Sequence, residues 1–292
     1  MGKGILSRDV SEQPSLPTGE CLSGLEVRGK NMKKRIILAL LTLTLVGTLA
    51  VAPGGTLAQE RDAKAILKAM SDYVSGQKTI ELAFDSDIEI ITPQLEKIQF
   101  TNSGEALLRR PNKLRAHRVG GYADVELFFD GKTVSIYGKN INGFAQFDVS
   151  GSIDQLITAL RHGHGVALPG ADLLMTNSYD LLVAEIQEAK HIGRGVIDGV
   201  ECEHLAFRNF DTDWQLWVEA GKHPIPRKLV ITSKTLSGGP QYTLRVKKWK
   251  TDIDPSPGEF AFTPPDGAQK LDPNALIDLD ELPPGASQGG NK

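Results

Sequence analysis

Apolar and polar residues alternate along many stretches of this chain, as expected of strands that bury one face. Between residues 79 and 92, isoleucine, leucine and phenylalanine share one parity, and acidic residues hold the other. Asp130-Gly131 and Asp198-Gly199 are typical of tight turns between antiparallel strands. The same alternation, which resumes at His191, predicts about ten strands, among them Thr79–Thr92, Lys97–Arg110, Lys113–Val119, Val125–Phe129, Thr133–Tyr137, Val200–Phe207, Trp214–Glu219, Arg227–Ser233 and Gln241–Lys250.

Three stretches follow a helical period instead. Residues 60–75 repeat apolar side chains at i, i+3, i+4 and i+7, with Gly76 as a predicted stop. Ser152 is a predicted N-cap for a helix with an apolar face up to Leu160, and residues 171–189 are predicted to be helical. A flexible loop, Arg161–Gly165, is predicted between the last two helices.

This order of elements predicts an α+β fold. A helix, about five strands, a helical insertion and about five more strands are typical of one strongly curved antiparallel sheet, an unclosed half β-barrel. The helices should cover its concave face, because the strands have only one apolar parity. The proline-containing segment Phe260–Lys270 is predicted to lie at the sheet edge.

The N-terminal pattern is typical of an export signal. Lys33-Lys34-Arg35 precede an apolar run from Ile36 to Ala52, and Thr56-Leu57-Ala58 offer small residues before a cut at Gln59. The alternative is an uncleaved inner-membrane anchor, since the run is slightly shorter than a membrane span. The predicted organisation is an extension (1–31, with Met1 or Met32 as the start), a signal peptide (32–58), a half-barrel domain (59–271) and a disordered acidic Pro/Gly-rich tail (272–292).

Charge and cysteine content narrow the classes of function. Beyond Ala58 the chain has 26 Lys and Arg against 32 Asp and Glu, so no nucleic-acid partner is expected. The only cysteine in that part is Cys202, within a predicted strand, so no intramolecular disulfide is expected there. No cofactor is predicted.

Residues with catalytic or metal-binding chemistry are few. His162 and His164 share a glycine-rich stretch, and Glu201, Glu203 and His204 cluster on a strand, but neither group has a full set of metal ligands at a recognisable spacing. Glu203 and His204 should point to opposite faces. The sequence assigns no catalytic role to the acidic pairs Asp85/Asp87 and Asp211/Asp213. The segment Asp211–Asp213 is more typical of a turn. A metal-dependent or carboxylate-based enzyme is therefore the third of three functional hypotheses.

Five segments carry a resemblance to known proteins: Asp198–Leu205, Asp213–Glu219, Pro224–Leu229, Arg110–Arg115 and Phe260–Ala268. They resemble a domain-of-unknown-function family of predicted periplasmic proteins, and the layout resembles the LolA/LolB lipoprotein carriers. The resemblance covers roughly residues 60–270 and implies a fold and a compartment, but no reaction.

The main functional hypothesis is a non-enzymatic binding protein. A curved sheet covered by helices encloses an interior suited to a lipid, an acyl chain or a lipidated protein, with peripheral membrane contact. The alternatives are a packed core without a ligand, and a protein-interaction or sensory module that acts through a sheet edge. Trp217 and Trp249 have the opposite parity and are predicted to form an exposed aromatic patch or to cover the flanks of the sheet. The predicted cavity-lining residues are Phe84, Ile88, Ile90, Leu127, Phe129, Trp214, Leu216, Leu244 and Val246.

Overall fold

The computed structural model describes residues 54–273, with the side chains of 54–58 and 61 excepted. The predicted extension, the signal peptide up to residue 53 and the tail from 274 lie outside the described residues. The predicted cut after Ala58 falls within the first helix, α1 (Gly54–Gly76). Cleavage at this position stays a prediction.

The described residues form one twelve-stranded sheet and three α-helices. Every neighbouring pair of strands is antiparallel except β12 and β6, which run parallel. The spatial order is β12-β6-β5-β4-β3-β2-β1-β11-β10-β9-β8-β7, so β12 and β7 are the two ends and the sheet is unclosed. The predicted fold class is confirmed. The strands are β1 Thr79–Ile91, β2 Lys97–Arg109, β3 Lys113–Gly120, β4 Asp124–Phe129, β5 Thr133–Gly138, β6 Gly143–Asp148, β7 Glu188–Ile197, β8 Val200–Arg208, β9 Thr212–Glu219, β10 Pro226–Ser233, β11 Gln241–Thr251 and β12 Gln269–Lys270.

Helices pack on one face of this sheet, which we call the inner face. Helix α1 lies mainly against β7, with further contacts to β8 and β9, and four of its apolar residues are buried in the cluster on the inner face. Helix α2 (Ile153–His164) buries Leu156 and Leu160 against Phe129 and neighbouring residues of β4–β6. Burial of about 25 cal/mol per Å² of apolar surface makes these contacts the main source of stability.

The helical insertion differs from its prediction. The prediction of a loop over Arg161–Gly165 is wrong, because residues 161–164 form the last turn of α2. Gly165 follows the helix in the left-handed conformation, at φ 64°. The prediction of helix over 171–189 is also wrong. A 3₁₀ helix covers Ala171–Leu174, α3 covers Ser178–Val183, and β7 begins at Glu188.

Two polar contacts hold the insertion in place. The Asp154 carboxylate accepts hydrogen bonds from the backbone N–H of Thr176, at 3.1 Å, and from its hydroxyl. Arg161 forms an ion pair with Asp172, with an Nη2–Oδ2 distance of 2.9 Å. Since α2 is buried against β4–β6, these contacts fix the 3₁₀ helix and α3 relative to the sheet.

The C-terminal segment crosses the opposite, outer face. The ring of Phe262 lies 5.4 Å from the rings of both Phe128 and Phe144, which point away from the inner face. The segment then ends in β12 beside β6, so the predicted edge position of Phe260–Lys270 agrees with the structure.

Candidate functional site: a cleft on the inner face

A cleft of about 380 Å³ lies between the insertion and the inner face of the sheet. Leu173 of the 3₁₀ helix and Leu181 and Leu182 of α3 form one wall. Trp214 of β9 with Leu229 and Ile231 of β10 form the other. We call this space the inner-face cleft.

The insertion approaches the sheet closely because of Gly170. This residue has φ 81°, and a Cβ placed on it would lie 3.2 Å from Leu244 Cδ2 and 3.4 Å from Leu229 Cδ2. Glycine is suited both to the left-handed conformation and to the short distance. The backbone at residue 170 therefore closes the cleft directly against two leucine side chains.

Polar residues lie around the cleft, and several are already paired within the protein. Arg161 binds Asp172 and also donates from Nη2 to the Leu168 carbonyl oxygen, at 2.7 Å. The Trp214 indole N–H donates to Asn209 Oδ1 at 3.2 Å. These groups stabilise the walls. The surface that remains open to a ligand is about equally polar and apolar, and its apolar part comes from the leucines, the isoleucine and the indole ring.

The cleft continues into a row of side chains across the sheet, which we call the apolar row. Its first member, Trp214, is buried, and the other four are half-buried. Each residue of this row is the register partner of the next residue on the neighbouring strand. In order, the five residues are Trp214, Ile231, Tyr242, Ile88 and Phe100. All five lie on the inner face. Burial raises the pKa of the Tyr242 phenol, which therefore stays neutral at physiological pH. Four steps between neighbouring strands give the row a length of about 19 Å.

The nine predicted lining residues all lie on the inner face, but they do not form one site. Four of them are buried: Phe129 under α2, Trp214 and Leu216 in the cluster under α1, and Val246 on β11. The others, Phe84, Ile88, Ile90, Leu127 and Leu244, are half-buried. Trp214 lines the cleft, and Ile88 belongs to the apolar row. A ligand-binding role for any of the nine stays a prediction.

Sequence reasoning missed most of the cleft. Leu229 and Ile231 have the same parity in β10 as the inner-face residues, so the alternation alone was sufficient to find them. Leu181 and Leu182 fall within the predicted helix 171–189, but nothing in their spacing shows that they border a cleft.

The prediction that Trp249 and Trp217 share a face is wrong. A β-bulge in β11 pairs Leu82 with Trp249 but Phe84 with Val246, so Lys247 is an extra residue that reverses the parity. Trp249 therefore packs on the inner core. Trp217 lies on the outer face, as its parity predicts, where its ring stacks on His204 with centroids 4.1 Å apart.

The candidate catalytic and metal-binding residues have other contacts. His162 is exposed, and the His164 ring lies 4.0 Å from that of Phe147. The Arg208 hydrogen bond lowers the pKa of Asp213, whose carboxylate lies 3.1 Å from Arg208 Nε. Within residues 54–273, no group of three or more His, Cys, Asp and Glu residues is placed to hold a metal ion.

The cluster on β8 is divided between the two faces, as its alternation predicts. Glu203 pairs with His191 at 2.8 Å, whereas His204 faces Gln215 on the outer side. Cys202 is buried, and burial raises the pKa of its thiol, which disfavours the reactive thiolate.

These features define an unclosed, mainly antiparallel sheet with a cleft beneath a helical insertion. The chain belongs to the family described as "Predicted periplasmic protein (DUF2092)", whose model matches residues 63–272. No curated protein matches the chain. None of the helices within residues 54–273 combines the length and apolar character needed to cross a bilayer.

Solved structures with a similar arrangement are distant. An uncharacterized conserved protein from Thermus thermophilus has 11% identity and a TM-score of 0.43, with 72% of this chain and 99% of that chain covered. Mycobacterium tuberculosis lipoprotein LppX has 15% identity and a TM-score of 0.42, with 67% and 98% covered. The Pseudomonas aeruginosa MucA/MucB complex gives 12% identity and a TM-score of 0.39, with 69% and 61% covered. Values this low assign neither ligand nor partner.

Proposed function

We propose that this protein is exported to the periplasm and binds an acyl chain, of a lipid or of a lipidated protein, in the inner-face cleft. The observation that carries the proposal is the cleft itself. Its volume of about 380 Å³ falls within the range of small-molecule sites, and large apolar side chains supply half of its lining residues.

The chemistry of the walls favours an apolar chain over a polar ligand. Arg161 and Asp172 neutralise one another at 2.9 Å, and the Trp214 N–H is satisfied by Asn209. A polar ligand would have to replace these bonds, whereas an acyl chain gains free energy simply by leaving water.

The apolar row gives such a chain a direction. It extends from Trp214 in the cleft to Phe100 on β2, over about 19 Å across the strands. An extended acyl chain can therefore lie across β9, β10, β11, β1 and β2 with its methylene groups against half-buried side chains.

The test is binding of a dansyl-labelled fatty acid by purified residues 59–292. We expect the emission to increase and to shift to the blue on binding. Ile231→Asp places a carboxylate in the cleft wall and should weaken binding at least about tenfold, because the charge loses water when the chain enters. The matched control is Val196→Asp, at a side chain that is 67% exposed on β7. Circular dichroism should show that both variants are folded.

Equal binding by Ile231→Asp and Val196→Asp would contradict the proposal, and so would the absence of binding by the unsubstituted protein. Native mass spectrometry of protein purified from its own periplasm provides an independent measurement, with a co-purified lipid mass as the expected result. A partner protein bound at the edge strand β7, the alternative function, would be captured equally by Ile231→Asp.

A further inference from the structure

The exposed large apolar side chains are concentrated at one end of the sheet. The hairpin turns β1–β2, β3–β4, β5–β6, β8–β9 and β10–β11 all lie at this end, which we call the rim. Each of the five turns holds one such residue, and these residues are between 46% and 84% exposed. In chain order they are Leu95, Tyr122, Ile141, Phe210 and Leu236.

The opposite end of the sheet has a different composition. Its four hairpin turns, at residues 110–112, 130–132, 198–199 and 220–225, consist mainly of Gly, Pro, Asp, Asn, Lys and Arg. Within the described part of the chain, none of these four turns holds an exposed large apolar side chain. Single exposed apolar residues are ordinary, but one in every turn at one end only marks that end as an interaction surface.

The backbone conformation of Leu95 is unfavourable for a leucine, so this residue of the rim lowers the stability of its turn. This residue has φ 66°, a conformation that disfavours side chains with a Cβ and in which Asn or Gly is more common. The turn that holds it closes through a hydrogen bond from the Leu95 N–H to the Thr92 carbonyl oxygen, at 2.8 Å. A leucine at the tip of this turn therefore does not serve the folding of the turn.

The lysines beside the rim are paired. Lys97 lies 3.1 Å from Glu89, and Lys139 lies 3.0 Å from Glu126. The Lys234 ammonium donates to the Asn209 carbonyl oxygen at 2.6 Å and lies 3.7 Å from the Asp213 carboxylate. The rim thus presents apolar tips beside neutralised lysines and the carboxylates of Glu96 and Asp211, which suits a zwitterionic headgroup layer better than an anionic surface.

The rim is continuous with both ends of the proposed binding surface. Asn209 and Thr212, on either side of the Phe210 turn, line the inner-face cleft. At the other end of the apolar row, the ring of Phe100 meets the ring of Tyr122 edge-on, with centroids 5.6 Å apart. The rim therefore borders the proposed binding surface at both of its ends.

We propose that the rim docks on the surface of a phospholipid bilayer, with its five apolar tips inserted between the headgroups. The tips lie on separate turns, about 10 Å apart along the rim because two strands separate neighbouring turns. Side chains spaced in this way insert independently into a fluid surface, whereas a protein partner would need a matching series of pockets. Tyr122 is of a residue type enriched at the boundary between headgroups and acyl chains, and Phe210 offers a large apolar ring that can be buried below it. The docking would bring the mouth of the cleft to the lipid, and in that respect it rests on the proposed function.

The test is flotation of residues 59–292, without any upstream anchor, with phosphatidylcholine vesicles. The rim variant combines Leu95→Ser, Phe210→Ser and Leu236→Ser. Its matched control combines Ile192→Ser and Val196→Ser, two exposed apolar residues on β7 away from the rim turns. We expect the unsubstituted protein and the control to float, and the rim variant to lose at least about tenfold in partition. Because all of these side chains are exposed, both variants should fold.

Three outcomes would overturn the docking: no flotation of the unsubstituted protein, an equal loss in the control, or binding that needs anionic lipid and is unchanged in the rim variant. The last result would indicate a purely electrostatic contact. The two proposals fail separately, because fatty-acid binding in solution does not need the rim. A rim variant that binds the dansyl probe but not vesicles supports the docking, whereas vesicle binding without any probe binding would remove only the cleft proposal.

Discussion

The indole N–H groups of two inner-face tryptophans have different surroundings. That of Trp214 donates to Asn209 Oδ1 at 3.2 Å. That of Trp249 is buried and has no hydrogen-bond acceptor within the described chain. A buried donor without a partner is unfavourable by an amount comparable to a lost hydrogen bond, so the two residues contribute differently to stability although both pack on the core.

A comparison of Trp214→Phe with Trp249→Phe measures this difference. Both substitutions remove the same atoms, and the loss of packing should be somewhat larger at Trp214, which is buried, than at Trp249, which is half-buried. Trp214→Phe also breaks a hydrogen bond, whereas Trp249→Phe removes an unsatisfied donor. We therefore expect Trp214→Phe to have a free energy of unfolding about 1–2 kcal/mol lower than that of Trp249→Phe in urea titrations. Equal losses would mean that Trp249 has a hydrogen-bond partner in solution.

At the scale of secondary-structure elements, one arginine connects α1, the 3₁₀ helix of the insertion and the sheet. Arg110, after β2, donates from Nη2 to the Leu174 carbonyl oxygen at 2.6 Å and from Nε to the Gln77 carbonyl oxygen at 3.2 Å. A longer contact, 3.5 Å, joins Nη2 to the Val74 carbonyl oxygen at the end of α1. Burial lowers the pKa of this guanidinium, yet it stays charged at any physiological pH. The end of α1 and the 3₁₀ helix of the insertion are thus fixed to the sheet by one side chain.

Arg110→Met should therefore destabilise the protein by about 2–4 kcal/mol, because carbonyl groups of two helices lose their donor inside the fold. The measurement is the free energy of unfolding in urea. Arg194→Met is the control, since Arg194 is exposed and forms surface ion pairs with Glu201 and Glu203. A surface pair of this kind should give a clearly smaller loss. The expectation fails if the two substitutions have the same effect.

Strands that bury one face are the elements best predicted from the sequence. The predicted bounds of β1 to β5 and β8 to β11 agree with the structure within two residues, because an alternating pattern specifies a half-buried strand directly. β6 (Gly143–Asp148) was missed because it is apolar on both faces. Phe147 faces α2, whereas Phe144 packs on Phe262 of the C-terminal segment.

The helical insertion was predicted less well because its bounds depend on tertiary contacts. The sequence His162-Gly163-His164-Gly165 is typical of a loop, but Leu156 and Leu160 bury α2 and the helix extends to His164. The contact between Asp154 and Thr176 separates the 3₁₀ helix from α3. This contact cannot be predicted from the spacing of apolar residues in the sequence. The face on which Trp249 lies was also predicted wrongly. The bulge at Lys247 adds one residue to β11 and places Trp249 on the inner face.

At the scale of the whole molecule, the sequence left the choice between cavity and core open. The alternation assigns residues such as Leu216 and Leu229 to the inner face, but not whether another element covers them. Leu216 and Leu229, its register partner, are both buried in the cluster under α1, but Leu229 also borders the cleft. The difference comes from the position of the insertion, which Gly170 and the Asp154–Thr176 contact determine. The volume of the cleft is therefore a property of the assembled domain.

Export is predicted to precede this assembly, with a cut between Ala58 and Gln59. Thr56 and Ala58 supply the small residues that signal peptidases require at positions −3 and −1. The cut falls within α1, but among the described side chains of this helix the first buried one is Ala63. Removal of residues 54–58 therefore leaves the buried stripe of Ala63, Leu67, Met70 and Val74 intact.

We expect mass spectrometry of the exported protein to give Gln59 as its first residue, and a chain that starts at Gln59 to unfold at the same urea concentration as one that starts at Gly54. Ala58→Arg should accumulate the uncleaved form in the membrane fraction, because arginine is too large for position −1. Leu57→Gln, at the intervening position, is the matched control and should still be cleaved. An intact N-terminus in the membrane fraction of the unsubstituted protein would instead establish the apolar run Ile36–Ala52 as an anchor.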